Sequence, residues 1–249
     1  MSAVRAVRAA RHPPDPAGAH PAGGAIMTAM AHPTTPAEAW SALRDGNDRF
    51  VRGAMEHPSQ GIDRRAEVST GQAPFAVVFG CSDSRVAAEI IFDQGLGDVF
   101  VVRTAGHVLD TTVIGSIEYG VEVLGASLVV VLGHDSCGAV AAATAALTTG
   151  ELPRGFVRAV VDRVIPSIVS LAHGPDADGR PRDLATVDPA ELGHEHVRHT
   201  VDMLRSYSVT LAEAIDAGRC AVVGVEYALA DGRARLTTAI GDVGDEPAA

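Results

Sequence analysis

The sequence predicts an α/β fold: a mostly parallel four-stranded sheet with an added edge strand, flanked by helices. Three observations predict it. Four short runs, "FAVVFG" (75–80), "DVFVVR" (98–103), "SLVVVLG" (127–133) and "CAVVGVEYAL" (220–229), are rich in β-branched residues and read as strands buried on both faces. Stretches of helical pattern separate them, and strand alternating with helix is the mark of a parallel sheet with helices on its faces. The chain has 249 residues and is 47% apolar, enough to bury one full core.

In chain order, the first element is a helix. In "TTPAEAWSALRDGNDRF", Thr35 stands as the N-cap, Pro36 opens the first turn and Glu38 completes a capping box. Ala37, Trp40 and Leu43 fall on one stripe, so this helix docks on another surface. Residues 51–73 read as a polar loop ending in "GQAP". The first strand follows, then helical "RVAAEIIFDQG", the second strand, helical "TVIGSIEYGVEVLG", the third strand and helical "GAVAAATAALTTG". Residues 151–193, rich in Pro, Gly and Asp and carrying one short helical pattern (156–171), form an excursion. A long helix, "EHVRHTVDMLRSYSVTLAEAIDAG", leads to the fourth strand, and "RARLTTAI" after the turn "ADGR" adds the edge strand. Residues 35–245 thus make one domain, and residues 1–34 read as a disordered extension rich in Ala, Pro, Gly and His, with Met27 or Met30 as alternative starts.

Charge and cysteine usage exclude several classes. A net charge of −11 argues against a nucleic-acid or anionic-membrane surface. All 20 basic residues are arginine, which removes P-loop nucleotide binding through lysine, Schiff-base chemistry and Ser–Lys catalysis. Cys81, Cys137 and Cys220 are an odd, scattered set, not a disulfide framework, so a reducing, cytoplasmic location is expected. The N-terminal stretch has no apolar run long enough for a signal-peptide core or a membrane span. No G-x-G-x-x-G follows a strand, which sets aside a dinucleotide fold.

In a parallel sheet, ligands bind at the carboxyl ends of strands where the strand order reverses. Two such ends carry chemistry here: Cys81, Ser82, Asp83, Ser84, Arg85 after the first strand, and His134, Asp135, Ser136, Cys137, Gly138 after the third. A lone cysteine at a strand end is ordinarily a small core residue, and Cys220 is read that way. Cysteine, histidine and cysteine together are ligands zinc prefers, and three protein ligands leave a fourth tetrahedral position open, as catalytic sites do. Both turns lead toward helices, so both thiolates are expected near helix N-termini. Asp83 is close enough in sequence to reach the metal or its water, and Arg85 can hold that carboxylate. "GHEHVRHT" offers His194, His196 and His199, but a solvated helix start accounts for them better than a second metal site.

"CSDSR", followed through "GSIEYGVEVLG" by "GHDSCGAV", resembles the β-class carbonic anhydrases, in particular their bacterial, actinobacterial-type members, and the likeness runs from about "PAEAWSALRDGNDRF" to "VGVEYALADGRARL". The resemblance implies reversible hydration of carbon dioxide to bicarbonate and a proton by zinc-bound hydroxide. It implies one Zn2+ per chain on Cys81, His134 and Cys137, with Asp83 and Arg85 as the catalytic dyad and Asp83 as a fourth ligand in a closed form. Gln72 matches a substrate-binding glutamine that the family takes from the partner subunit. Phe100 and Tyr119 match the lining of the carbon dioxide pocket, and Gly138 a backbone amide near bicarbonate. The site then forms at a dimer interface, in an obligate homodimer or a dimer of dimers. Val78 stands where members with a regulatory bicarbonate pocket carry tryptophan, so only Arg103 of that pocket matches and such allostery is not expected. Asp135 and Thr104 replace the more usual serine and asparagine. Two thiolates acidify a zinc water less than three imidazoles, which predicts activity rising on the alkaline side of neutrality. Two other readings stand beside this one: a hydrolase of carbonyl sulfide or carbon disulfide on the same fold, and a catalytically silent zinc-binding regulatory protein, against which the intact Asp83–Arg85 pair argues. His107, after a strand end, is near the site in sequence but is not assigned as a proton shuttle.

Overall fold

The computed structural model describes residues 32–173 and 182–245. The expected extension therefore lies outside the described residues up to Ala31, and so do residues 174–181 of the excursion. Strands β1 (Ala76–Cys81), β2 (Val99–Thr104), β3 (Leu128–His134), β4 (Ala221–Tyr227) and β5 (Ala234–Ile240) form a sheet in the order β2-β1-β3-β4-β5. The first four are mutually parallel and β5 returns antiparallel along β4, as the sequence predicts. The chain starts in the middle of the sheet, steps to one side for β2 and crosses to the other for β3. The reversal of order thus falls between β1 and β3, and their carboxyl ends flank the crevice where α/β sheets bind ligands.

The strand runs have no polar face because both faces are covered. Val78, Val130 and Val223 point into one apolar layer with Trp40 and Leu43 of α1 (Pro36–Val51) and Ile91 of α3 (Ala88–Ile91). Val77, Val129 and Val222 point into the opposite layer, against Val113 and Ile117 of α4 (Thr111–Glu118), Val197, Val201 and Leu204 of α7 (Pro189–Tyr207), and Leu211 of α8 (Val209–Asp216). Each fully buried valine is worth roughly 1.5–3 kcal/mol, so these alternating rows fix strand register. A third cluster, between α5 (Gly138–Thr149) and α6 (Val157–His173), closes around Cys81 and Cys137 at the strand ends.

The capping box of α1 forms as expected: Glu38 N donates to Thr35 Oγ1 (3.2 Å) and Thr35 N to Glu38 Oε2 (3.2 Å). Other elements differ from the sequence reading. The polar loop after α1 contains a short helix, α2 (Ile62–Glu67). "RVAAEIIFDQG" yields only the four residues of α3, because Asp93 turns into the left-handed region (φ 45°). The Asp93 carboxylate there accepts from the amides of Glu56 and His57 and pairs with Arg49 at 2.6 Å. The long C-terminal helix is two helices, broken at Ser208, whose extended backbone lets Oγ cap Leu211 N at 3.0 Å. The short pattern at 156–171 is a full helix, α6.

Candidate metal centre

The site is built from two turns. After β1 the chain does not enter a helix at once, since α3 begins only at Ala88, so Cys81 has no helix N-terminus behind it. This corrects the expectation for that thiolate. Its amide donor comes from across the sheet: Gly106 N lies 3.3 Å from Cys81 Sγ, in a single 3-10 turn (Ala105–His107) that follows β2. After β3, Ser136 takes a left-handed backbone (φ 53°) to bring Cys137 back beside His134, and Cys137 is then the N-cap of α5 as expected. A non-glycine residue in that region is strained, a feature that clusters at functional sites.

These turns bring Cys81, His134 and Cys137 together, all buried, with their donor atoms within 4.8 Å of one another. His134 Nδ1 lies 2.7 Å from the Asp135 carbonyl, which can only accept. The ring proton is therefore assigned to Nδ1, leaving the Nε2 lone pair facing the cysteines. Nε2 is buried without a hydrogen-bond partner among the described residues. A hydrogen bond from the Cys137 thiol pulls the Cys81 thiol far below its ordinary range, against burial and with help from the Gly106 and Asp83 amides. The same bond, together with burial, pushes Cys137 up, so the pair shares one proton. A cation between the sulfurs would release that proton. Two soft sulfurs and an unpartnered imidazole nitrogen fit zinc.

Asp83 stands beside the cluster rather than in it. Arg85 holds it with three donors: Nε to Oδ1 (3.0 Å), Nη2 to Oδ2 (2.7 Å) and the backbone N to Oδ1 (2.9 Å). These bonds keep the carboxyl well below the usual carboxylate range. Asp83 Oδ2 lies 3.9 Å from His134 Nε2, next to the three donors. The carboxylate is thus engaged by arginine, which is the open arrangement of the two considered from sequence.

The remaining predicted residues are placed apart. Gly138 follows Cys137 directly as the exposed first residue of α5. Gln72 is exposed in the loop before β1. Phe100 and Tyr119 pack against each other, ring centroids 6.3 Å apart. Phe100 is paired in register with Val77, while Cys81 is paired with Thr104. At about 3.3 Å per residue, Phe100 lies roughly 13 Å back from the strand end that carries the cluster. One chain does not bring Gln72, Phe100 and Tyr119 to its own three donors. A cavity of about 740 Å3 borders His134 and Cys137 but not Asp83 or Arg85, so it is not where that carboxylate meets a substrate.

Three residues unassigned by the sequence reading support the turns. Arg103 of β2 donates to the carbonyls of Cys81 (3.0 Å) and Asp83 (2.6 Å), fastening the loop between them. His196, expected at a solvated helix start, is 1% exposed. Its neighbours Leu192, Val197, Thr200 and Val201 are buried with it, and that helical stripe was the available signal. Gly106 is the third. His107, its ring edge-on to Phe79 at 6.2 Å and stacked on His196 at 4.3 Å, is 2% exposed. Burial holds its pKa well below the ordinary histidine value, which favours the neutral ring.

Fold and site together define a class: an α/β enzyme with a three-donor, thiolate and imidazole metal site at the switch point of a parallel sheet. A family model described as carbonic anhydrase matches residues 76–234. The chain is 56% identical over 213 residues to carbonic anhydrase 2 of Mycobacterium tuberculosis, covering 86% of this chain and 98% of that protein. It is also 56% identical over 212 residues to a carbonic anhydrase of Mycolicibacterium smegmatis, covering 85% and 98%. A tetrameric β-carbonic anhydrase of Sordaria macrospora superposes with a TM-score of 0.58 at 25% identity, over 79% of this chain and 95% of that one. The fold also matches a β-carbonic anhydrase of Aspergillus fumigatus, with a TM-score of 0.60 at 24% identity over 83% and 92%. The chain belongs to the carbonic anhydrase family, in its β class.

Proposed function

We propose that the chain catalyses the reversible hydration of carbon dioxide to bicarbonate and a proton, with one zinc ion per chain held by Cys81, His134 and Cys137. The observation that carries the reading is the juxtaposition of that buried donor set with a carboxylate held by arginine, its Oδ2 3.9 Å from His134 Nε2. When bound, zinc supplies Lewis acidity, the property that makes hydroxide available near neutral pH. Asp83, held in place by Arg85, accepts a hydrogen bond from the attacking water at Oδ2 and turns its lone pair toward the carbon. Arg85 acts by holding that carboxylate away from the metal position. The Gly138 amide, at the first turn of α5, is the assigned donor to a bicarbonate oxygen.

Gln72, Phe100 and Tyr119 are assigned to the site of the partner subunit in a homodimer. Their distance from the cluster of their own chain supports this, as does β2, whose Val99, Phe100, Val101 and Val102 are only half buried where β1 and β3 are fully so. An apolar edge strand of this kind is completed by pairing. The tetrameric relative makes a dimer of dimers the next level of assembly to test. Residues 35–245 form the catalytic domain, with residues 1–34 outside it. The three unpaired cysteines favour the cytoplasm, and no described helix is long and apolar enough to cross a membrane. Stopped-flow measurement of carbon dioxide hydration from pH 6.5 to 9, with zinc content determined on the same samples, tests the proposal. Zinc near one per chain with activity rising toward alkaline pH is expected. Zinc-loaded protein without hydration activity overturns it.

A further inference from the structure

His196 takes no part in the function above, yet it reaches the metal cluster through a single residue. His196 Nε2 lies 2.8 Å from the Gly106 carbonyl, and the N–H of Gly106 lies 3.3 Å from Cys81 Sγ. Gly106 adopts φ 65°, and a Cβ there would stand 2.5 Å from that of Ala139. The position thus admits only glycine, which has no side chain to anchor it, so its orientation depends on its backbone partners. On the other side of the imidazole, Ser167 Oγ lies 2.9 Å from Nδ1. A carbonyl can only accept, so the ring proton is on Nε2. The Ser167 hydroxyl, which also lies 2.7 Å from the Val164 carbonyl, shares its one proton between that carbonyl and Nδ1. Ser167 is 0% exposed, and Thr200 Oγ1 ties back to the His196 carbonyl at 2.8 Å. The chain of contacts runs from α6 through α7 to the turn after β2 and ends on a metal-ligand sulfur.

We propose that His196 is a positioning residue for the metal site: by donating from Nε2 to the Gly106 carbonyl, it aims the Gly106 N–H at Cys81 and sets how much charge that thiolate gives the metal. A core histidine satisfied by chance would have no reason to grip a residue whose amide faces the ligand from outside the ligand's own turn. A hydrogen bond to a thiolate withdraws charge from the metal–sulfur bond, and outer partners of this kind orient and tune the ligands they touch. The proposal rests on Cys81, His134 and Cys137 being the zinc ligands.

The test compares His196→Gln, whose amide can still reach the Gly106 carbonyl, with His196→Asn, whose shorter side chain keeps only the Ser167 contact. Zinc dissociation constants, from competition with a chromophoric chelator, and the thiolate-to-cobalt charge-transfer band of the cobalt(II)-substituted protein are the readouts. The glutamine variant is expected within about threefold of wild type, and the asparagine variant about 10- to 100-fold weaker with a displaced band. Ser167→Ala, which frees the ring to turn, moves both readouts in the same direction by less, and it serves if the asparagine variant does not fold. Unchanged affinity and band in the asparagine and Ser167→Ala proteins, or equal weakening by glutamine and asparagine, overturns the proposal. If wild-type protein binds no zinc, the ligand assignment itself fails, an outcome distinct from failure of the relay.

Discussion

Asp83 receives all three of its strongest donors from one residue two positions away, so its orientation is set locally and by a single side chain. In Arg85→Ala the carboxyl returns toward its ordinary range but stays ionised at neutral pH. What is lost is therefore direction, not charge, and the freed carboxylate, whose Oδ2 already lies 3.9 Å from His134 Nε2, can turn onto the metal position. We expect zinc content unchanged and kcat/KM reduced by about 100-fold or more, the scale of a lost acid–base contact. Full activity in this variant would remove Asp83 from the mechanism. Cys81→Ser, by contrast, should abolish stable zinc binding, since a hydroxyl does not ionise as a thiol does. One zinc per chain by metal analysis of that variant would show that Cys81 is not a ligand. Cys81, Asp83, Arg85, His134 and Cys137 stood out in the sequence because each of their two groups is a compact polar stretch after an apolar run. Arg103 and Gly106 were not legible in that way, because they act on or through backbone atoms, which leave no mark in the pattern of side chains.

At the scale of elements, the strands were readable because burial on both faces writes an unbroken apolar run. Helix lengths were less so, because single polar residues, Asp93 and Ser208, end helices through contacts made elsewhere in the fold. Asn47 shows the same economy in α1. Its Nδ2 donates to the carbonyls of Ile91 (3.1 Å) and Gly232 (2.9 Å), and its Oδ1 accepts from Ala234 N (2.9 Å), tying α1 to α3 and to the β4–β5 turn. Asn47→Ala strands these buried groups, each worth about 1–3 kcal/mol, and should lower unfolding free energy by at least that much in urea titrations without changing the metal site. An unchanged urea midpoint would mean the turn is held by other contacts. In α7, burial lowers the pKa of His196 to about 4, below the ordinary histidine value of about 6.5. The unfolded chain takes up this proton first, so the stability gained by keeping His196 neutral is complete above about pH 6.5 and falls as pH drops toward 4. Between pH 7 and 5 wild-type protein should therefore lose about 2 kcal/mol more unfolding free energy than His196→Gln. Equal losses would show that His196 is not neutral because of burial.

The whole molecule sets a constraint that neither the motifs nor the single chain satisfies. Three pocket residues implied by the family resemblance, Gln72, Phe100 and Tyr119, stand at the amino-terminal half of the sheet, while the metal donors stand at its carboxyl ends. The sequence carried both sets but not their separation, which depends on strand direction and register. The two-fold dimer proposed above would resolve it, because an isologous contact sets the same patch of each chain against the other, so that each metal cluster can meet the partner's Gln72. This arrangement makes a prediction that a site within one chain does not. Cys81→Ser lacks a metal ligand, Gln72→Ala lacks the substrate contact, and each homodimer alone is impaired at both of its sites. In a mixed dimer, one site combines both defects and the other combines the intact cluster of the Gln72→Ala chain with the intact glutamine of the Cys81→Ser chain. Unfolding and refolding the two variants together should place on the order of half the chains in mixed dimers with one good site each, restoring roughly a quarter of wild-type activity by random pairing. Sedimentation should show dimers throughout. If the refolded mixture shows only the average of the two separate activities while exchange of chains is verified by mass, glutamine and metal serve the same chain and the shared-site arrangement fails.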